Sequence, residues 1–194
     1  MSDPVEVLDF WLDEIGPDGW YAGGEEIDDT IAVRFGDLWQ ALHDGGLEHW
    51  VDGPVGTLAY LIVADQFSRN IHRGRAVAFA TDDRARAAAR RAVEEGWDLE
   101  APEPDRQFFY LPFEHSEDMA DQDLCVQLME ERLTSEPGNI LHAHAHRQVI
   151  RDFGRFPFRN EALGRESTAA EVAFLKEGGY GAIVRALQNN SETQ

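Results

Sequence analysis

The feature that most limits how this chain can fold is the spacing of its apolar residues, which recur three and four positions apart along most of its length. In 4–15, PVEVLDFWLDEI, the stripe is Val5, Leu8, Trp11, Leu12 and Ile15, one face of a helix with 3.6 residues per turn. Asp3 can cap this helix, and Pro4 suits its first turn. After the polar loop GPDGWYAGGEE, residues Ile27, Ile31, Phe35, Leu38 and Leu42 mark a second helix over 27–42, which Gly45 and Gly46 stop. Further helices are predicted at 54–70, 82–95, 105–114, 118–133 and 139–152. A last one starts at Thr168, where Thr168 and Glu171 have the spacing of a capping box. So few residues separate 105–114 from 118–133 that the two are expected to form an antiparallel pair. No segment alternates apolar and polar residues for long, so no strand is predicted. The expectation is an all-α fold, an antiparallel α-helical array. No repeat period is visible in the sequence. At 194 residues the chain predicts a single domain over 1–187, with 188–194, QNNSETQ, as a frayed tail.

Charge narrows the function classes. Asp and Glu number 37 against 17 Lys and Arg, giving a formal net charge of -20. Such a surface repels nucleic acid and anionic membrane, so neither is expected as a partner. No apolar run approaches the roughly 20 residues that span a bilayer. The start, MSDPVEVLDFW, has neither the cationic stretch nor the apolar core of a secretory signal. The single cysteine, Cys125, has no partner for an internal disulfide, which fits a reducing compartment. These features predict a cytoplasmic protein. The acidic excess fits either a salt-rich habitat or a genome that favours Arg and Ala.

Several polar residues sit where an amphipathic helix would carry Leu. In TLAYLIVADQFSRNIHRG, Asp65 shares the face of Leu61 and Ile62, Arg69 follows four residues later, and His72 three after that. Burying one such charge alone costs several kcal/mol, so Asp65 and Arg69 are expected to be paired or to face a cleft; the plainer alternative is an exposed i,i+4 pair. In FFYLPFEHSEDMADQD, Pro112 breaks the helical pattern and His115, Ser116 and Glu117 fall at a junction. Ser116, Asp118 and Asp121 suit capping there; His115 and Gln122 are less well explained by it. Three histidines alternate in NILHAHAHRQVIRD, but on a helix His142 and His146 alone share a face, and Ala143 stands where a metalloprotease motif has Glu. No metal and no cofactor are expected.

The stretch RDFGRFPFRNEALGR, residues 151–165, gathers four arginines and three phenylalanines around Gly and Pro. Guanidinium groups on a rigid aromatic turn suit planar anions. Arg155, Arg159 and Arg165 either clamp internal carboxylates such as Asp65 and Glu117 or keep donors for a carboxylate or phosphate ligand.

The stretches LIVADQFSRNIHRG, FFYLPFEHSEDMADQ and FGRFPFRNEALGREST, followed by EVAFL, resemble the family of bacterial domains of unknown function numbered 924. The resemblance runs from VLDFW to FLKEGG. It implies a tetratricopeptide-like helical fold and no settled activity. It marks Asp65, Gln66, Arg69, Asn70, His115, Ser116, Glu117, Gln122, His146, Arg155, Arg159, Asn160, Gly164, Arg165 and Ser167 as motif positions. This chain departs from the motif at Ser68, where the family usually has Pro, and at Phe158, where it usually has His.

The leading expectation is an internal cleft of Arg, His and carboxylate groups for a small anionic ligand, with cofactor-independent hydrolysis or lyase chemistry as its use. Catalysis would fall to His115, Glu117, His146 and Asp65, with Glu117 or Asp65 orienting an imidazole. Binding would fall to Gln66, Arg69, Asn70, Gln122, Arg155, Arg159, Asn160, Arg165 and Ser167. The alternative is a tetratricopeptide-like module that holds a protein partner, its polar network serving only to fix the helices.

Overall fold

The computed structural model describes residues 3–191, and these are helical with no strand among them. The first helix, α1, starts at Pro4–Leu8 and widens into a π-helical stretch at Asp9–Ile15. Asp3 caps it, accepting the Glu6 amide at 3.0 Å. It is followed by α2 (Gly16–Trp20) and α3 (Glu25–His43). Helix α4 runs from Pro54–Leu61 through a second π-helical stretch, Ile62–Phe67, and ends at Ser68–Ile71. Then come α5 (Asp82–Glu95), α6 (Leu111–Glu114), α7 (Met119–Arg132), α8 (Pro137–Phe153), α9 (Ala169–Lys176) and α10 (Gly179–Ser191). Short 3-10 turns fill several connections, among them Asp105–Phe109 and Pro157–Arg159.

The chain forms two compact units, Met1–Pro112 and Phe113–Gln194. The first is built on aromatic rings, of which Phe35 comes from a predicted stripe and Trp20 from the stretch expected to be a polar loop. Phe10 packs on Phe35 with centroids 5.0 Å apart, Phe35 on Phe67 at 4.9 Å, and Trp20 on Phe108 at 4.9 Å. Such tilted and edge-on pairs add to the gain from burying the rings. Trp20 also donates its Nε1–H to the Trp11 carbonyl at 2.7 Å, which ties α2 to the π-helical end of α1.

Within the second unit, α7 packs on α8, and α10 lies against α8. The short link between α7 and α8 makes them antiparallel neighbours. Val149, Ile150 and Phe156 are buried together, with Met119, Phe153, Phe174, Tyr180 and Ile183 packed around them. Thr168 caps α9 in the predicted capping box with Glu171. Several details differ from the expected pattern. Gly16–Trp20, in the stretch expected to be a polar loop, is helix α2 and buries Trp20. Residues 105–114 are not one helix, because the 3-10 turn and the four-residue α6 replace it, so the expected pairing with 118–133 gives way to the pairing of α7 with α8. The helix expected from Thr168 is two, separated at Gly178, whose φ of 106° is one that side chains resist. Of the expected tail, 188–191 belong to α10 and 192–194 lie outside the described residues.

Candidate functional site

The polar residues singled out in the sequence fall into two groups, one in each unit. Asp65, Gln66, Arg69 and Asn70 belong to the first. The π-helical stretch of α4 buries all six of its residues, so Asp65 is only 2% exposed. Widened turns of this kind leave backbone acceptors open to side chains. Here Arg69 Nη1 reaches the Asp65 carbonyl at 2.8 Å and its Oδ1 at 2.9 Å. The same guanidinium holds Asp82 through two bonds of 3.1 Å each. Burial alone would discharge Arg69, but the two carboxylates outweigh it and keep the group firmly cationic. Gln66 donates to Asp65 Oδ2 at 2.5 Å, and Asn70 donates to Asp28 at 2.7 Å, beside Arg73. Ser68 donates to the Ala78 carbonyl at 2.9 Å and so pins the turn before α5 to α4. These contacts make an internally matched network.

The second unit holds the remaining residues. Glu117 accepts the Phe156 amide at 2.8 Å and both terminal nitrogens of Arg165, at 2.8 and 3.1 Å. Arg165 also donates to the Phe156 carbonyl and, at 3.0 Å, to Asn160 Oδ1; Asn160 donates in turn to Ser167 Oγ at 3.0 Å. Arg155 grips Glu171 through bonds of 2.6 and 2.8 Å. The arginine cluster of 151–165 is therefore largely a clamp that folds 155–171 back on itself. Arg159 is 7% exposed, and its guanidinium lies 4.4 Å from the centre of the Phe156 ring, a cation–π contact. Gln122 is fully buried; its Nε2 donates to the carbonyls of Glu114 at 2.6 Å and Ser116 at 2.7 Å, which holds the α6–α7 turn closed.

A different carboxylate meets the imidazoles. Glu114 is buried, and its Oε1 lies 2.9 Å from His146 Nδ1. Burial pushes the Glu114 carboxyl up, but His146, with His115 and His142 beyond it, overrides this and holds it below the ordinary glutamate value. The His115 ring stands edge-on to His146 at 6.1 Å, and Phe156 does the same at 5.5 Å. Tyr180 Oη is 2.5 Å from His142 Nδ1 and 3.3 Å from His146 Nδ1. His144 faces Glu130 instead, at 2.9 Å. Among the described residues no group of three His, Cys, Asp or Glu side chains is arranged to hold a metal ion.

Residues 7–179 match the model of a family described as a bacterial protein of unknown function, DUF924. The chain belongs to this family. It is also similar to a solved structure, a protein of unknown function from Agrobacterium tumefaciens, with a TM-score of 0.85 at 38% identity, over 90% of this chain and 97% of that one. No curated protein matches. No helix among the described residues of this DUF924 protein is long and apolar enough to cross a membrane.

Glu114, Tyr180 and Asp82 carry much of the observed geometry and were not singled out by the sequence, and Glu171 was read there as a helix cap and not as the partner of Arg155. Glu114 stands next to His115 inside FFYLPFEHS, so its place in a motif was visible; its pairing with a residue 32 positions away was not.

Three carboxylates of this unit are held below their ordinary values. Glu171, bonded by Arg155, sits at about 2. Glu117 is lowered because Arg165 and the Phe156 amide outweigh its burial, and Glu114 by the histidines. A carboxyl that gives up its proton more readily in the folded chain adds stability above its unfolded value, about 4.3 for Glu. That contribution is lost as pH falls through the folded values. Urea midpoints are therefore expected to drop steeply between pH 5 and 2, and to drop less steeply in Glu171→Gln. Equal acid slopes in the two proteins would count against this assignment.

Proposed function

We propose that the second unit carries a general base that acts without a cofactor in the hydrolysis of a small anionic substrate, or in an elimination from one. The observation that supports it is the 2.9 Å pair between buried Glu114 and His146 Nδ1. An ionised carboxylate on Nδ1 requires the ring proton to stay there, which leaves Nε2 as a proton acceptor. No hydrogen bond among the described residues occupies that Nε2. The Glu117 or Asp65 expected to orient an imidazole are engaged by Arg165 and Arg69, so Glu114 takes that role.

Anion preference rests on Arg159. Its guanidinium and the His146 ring flank the same phenylalanine, Phe156, at 4.4 and 5.5 Å. A substrate carboxylate or phosphate beside His146 would gain from that cation. A second reading, a surface that holds a protein partner, draws on Phe158, Val172 and Leu175, which are exposed at 46%, 53% and 40%. It predicts that small anions leave the melting temperature unchanged.

A thermal-shift screen of phosphates, carboxylates and nucleotides separates the two. A ligand at 100 times its Kd adds about 2.7 kcal/mol, a clear rise in Tm. The general-base reading expects at least one anionic compound to do this in the wild type and to lose the effect in Arg159→Ala. No shift with any compound, or an equal shift in both proteins, would overturn it.

A further inference from the structure

The geometry points to a proton-operated latch in the first unit: neutral, the His72 imidazole closes the end of α4 onto Trp39 of α3, and taking up a proton drives it out. The latch is independent of the general base in the second unit.

His72 follows the last residue of α4, and its amide still donates to the Ser68 carbonyl at 3.1 Å. Its ring packs on α3, edge-on to buried Trp39, with centroids 4.2 Å apart and planes at 66°. As a residue His72 is half-buried, yet both of its ring nitrogens are shut off from solvent, and neither has a hydrogen-bond partner among the described residues. The Trp39 indole nitrogen is covered and unpartnered in the same way. A neutral imidazole leaves one N–H and one lone pair unmatched in such a place. An imidazolium brings two N–H donors and a full charge, which is far more costly to bury unpaired.

The surrounding charges do not help that cation. Arg75, in the turn that follows, and His43, stacked on the same Trp39 at 5.2 Å, both act against a proton on His72. The carboxylates of the neighbouring elements hold other groups. Asp44 takes His43 and Gln40, Asp28 of α3 takes Asn70 and Arg73, and Asp65 and Asp82 take Arg69, three residues before His72. The Ala76–Phe79 turn, which packs on the end of α4, has no titratable side chain. The carbonyl end of a helix attracts a cation, but burial outweighs that pull and, with Arg75 and His43, holds His72 below the usual histidine value. A proton is therefore better accommodated on a ring that has left Trp39 for water. Acid shifts the population toward an open form in which the end of α4 is loosened from α3, still tied there by Asn70 and Arg73 on Asp28.

NMR of the His72 ring and of the Trp39 indole N–H in the full, nitrogen-15-labelled chain, between about pH 8 and 5, tests the latch. His72 is expected to titrate below about 6.5, the value of an unperturbed histidine, and the Trp39 signal to shift with the same midpoint. His72→Phe, which keeps a ring on Trp39, is expected to abolish that shift. A His72 midpoint at or above about 6.5 in the wild type, a Trp39 signal that does not move, or an equal shift in His72→Phe overturns the latch. Unfolding supplies a second measurement. The unfolded chain takes up this proton near pH 6.5 and the folded chain only at lower pH, so stability falls as pH drops through that window. The tryptophans all lie in Met1–Pro112, so their fluorescence in urea reads this unit. Urea midpoints are expected to fall from about pH 7 to 5 in the wild type and to fall less in His72→Phe. Equal falls in the two proteins overturn the proposal.

Discussion

Arg69→Ala is expected to cost the first unit about 3–5 kcal/mol, because it takes from two desolvated carboxylates the guanidinium that bridges them. Asp65 and Asp82 are 2% and 8% exposed, and Arg69 bridges them with one bond to Asp65 Oδ1 and two to Asp82. The loss also frees the Asp65 carbonyl, which Arg69 Nη1 satisfies inside the π-helical stretch. The size of the effect does not mean that the ion trio stabilises the fold relative to apolar residues. Removing one member of a buried pair and replacing the whole set are different experiments, and the second is often neutral. Arg69→Met combined with Asp65→Asn and Asp82→Asn is accordingly expected to recover most of the loss. Trp11, Trp20, Trp39, Trp50 and Trp97 all lie in Met1–Pro112, so tryptophan fluorescence in urea reports on this unit. A penalty below about 1 kcal/mol for Arg69→Ala, the range of an exposed pair, would show that the network is wetter than its geometry implies.

The contrast between the two units shows what the sequence could reveal. Helices α3, α5, α7 and α8 match their stripes closely, because apolar spacing at 3.6 residues per turn is local information. The capping box at Thr168 and the cap at Asp3 were equally local. Asp65 and Arg69 were legible as a pair, since four residues on a helix place them together; the share that Asp82 takes, 13 residues away, was not. The π-helical stretches gave no signal either, because each fits a continuous helical stripe within one residue. The arginine cluster could be read as chemistry but not as partnership. Arg165 closing on Glu117 across 48 positions, and Glu114 meeting His146 across 32, depend on how α6, α7 and α8 pack. No spacing rule reaches that far. Phe156 packs on Phe158 from its own turn and on the His146 imidazole from α8, and only the first of these contacts is local.

His146→Gln is expected to remove essentially all turnover of any substrate the second unit hydrolyses, and Glu114→Gln to lower kcat/KM by about a hundredfold or more, the range for a positioned acid–base group. The two variants should fail differently. Glutamine at 146 has no titratable lone pair, so residual activity should show no acid limb in its pH profile. Glutamine at 114 keeps a hydrogen-bond acceptor 2.9 Å from Nδ1 but loses the charge that stabilises the imidazolium. Its kcat should therefore fall with KM little changed, which separates an orienting carboxylate from a packing defect that disturbs binding as well. Unfolding in urea adds a control. Glu114 is buried and held ionised by His146, so Glu114→Gln should flatten the loss of stability below about pH 4.3, where the unfolded chain takes up a proton that the folded carboxyl does not yet accept. An unchanged kcat together with an unchanged acid slope would mean that Glu114 does not orient His146 in the folded chain, and the general-base reading would go with it.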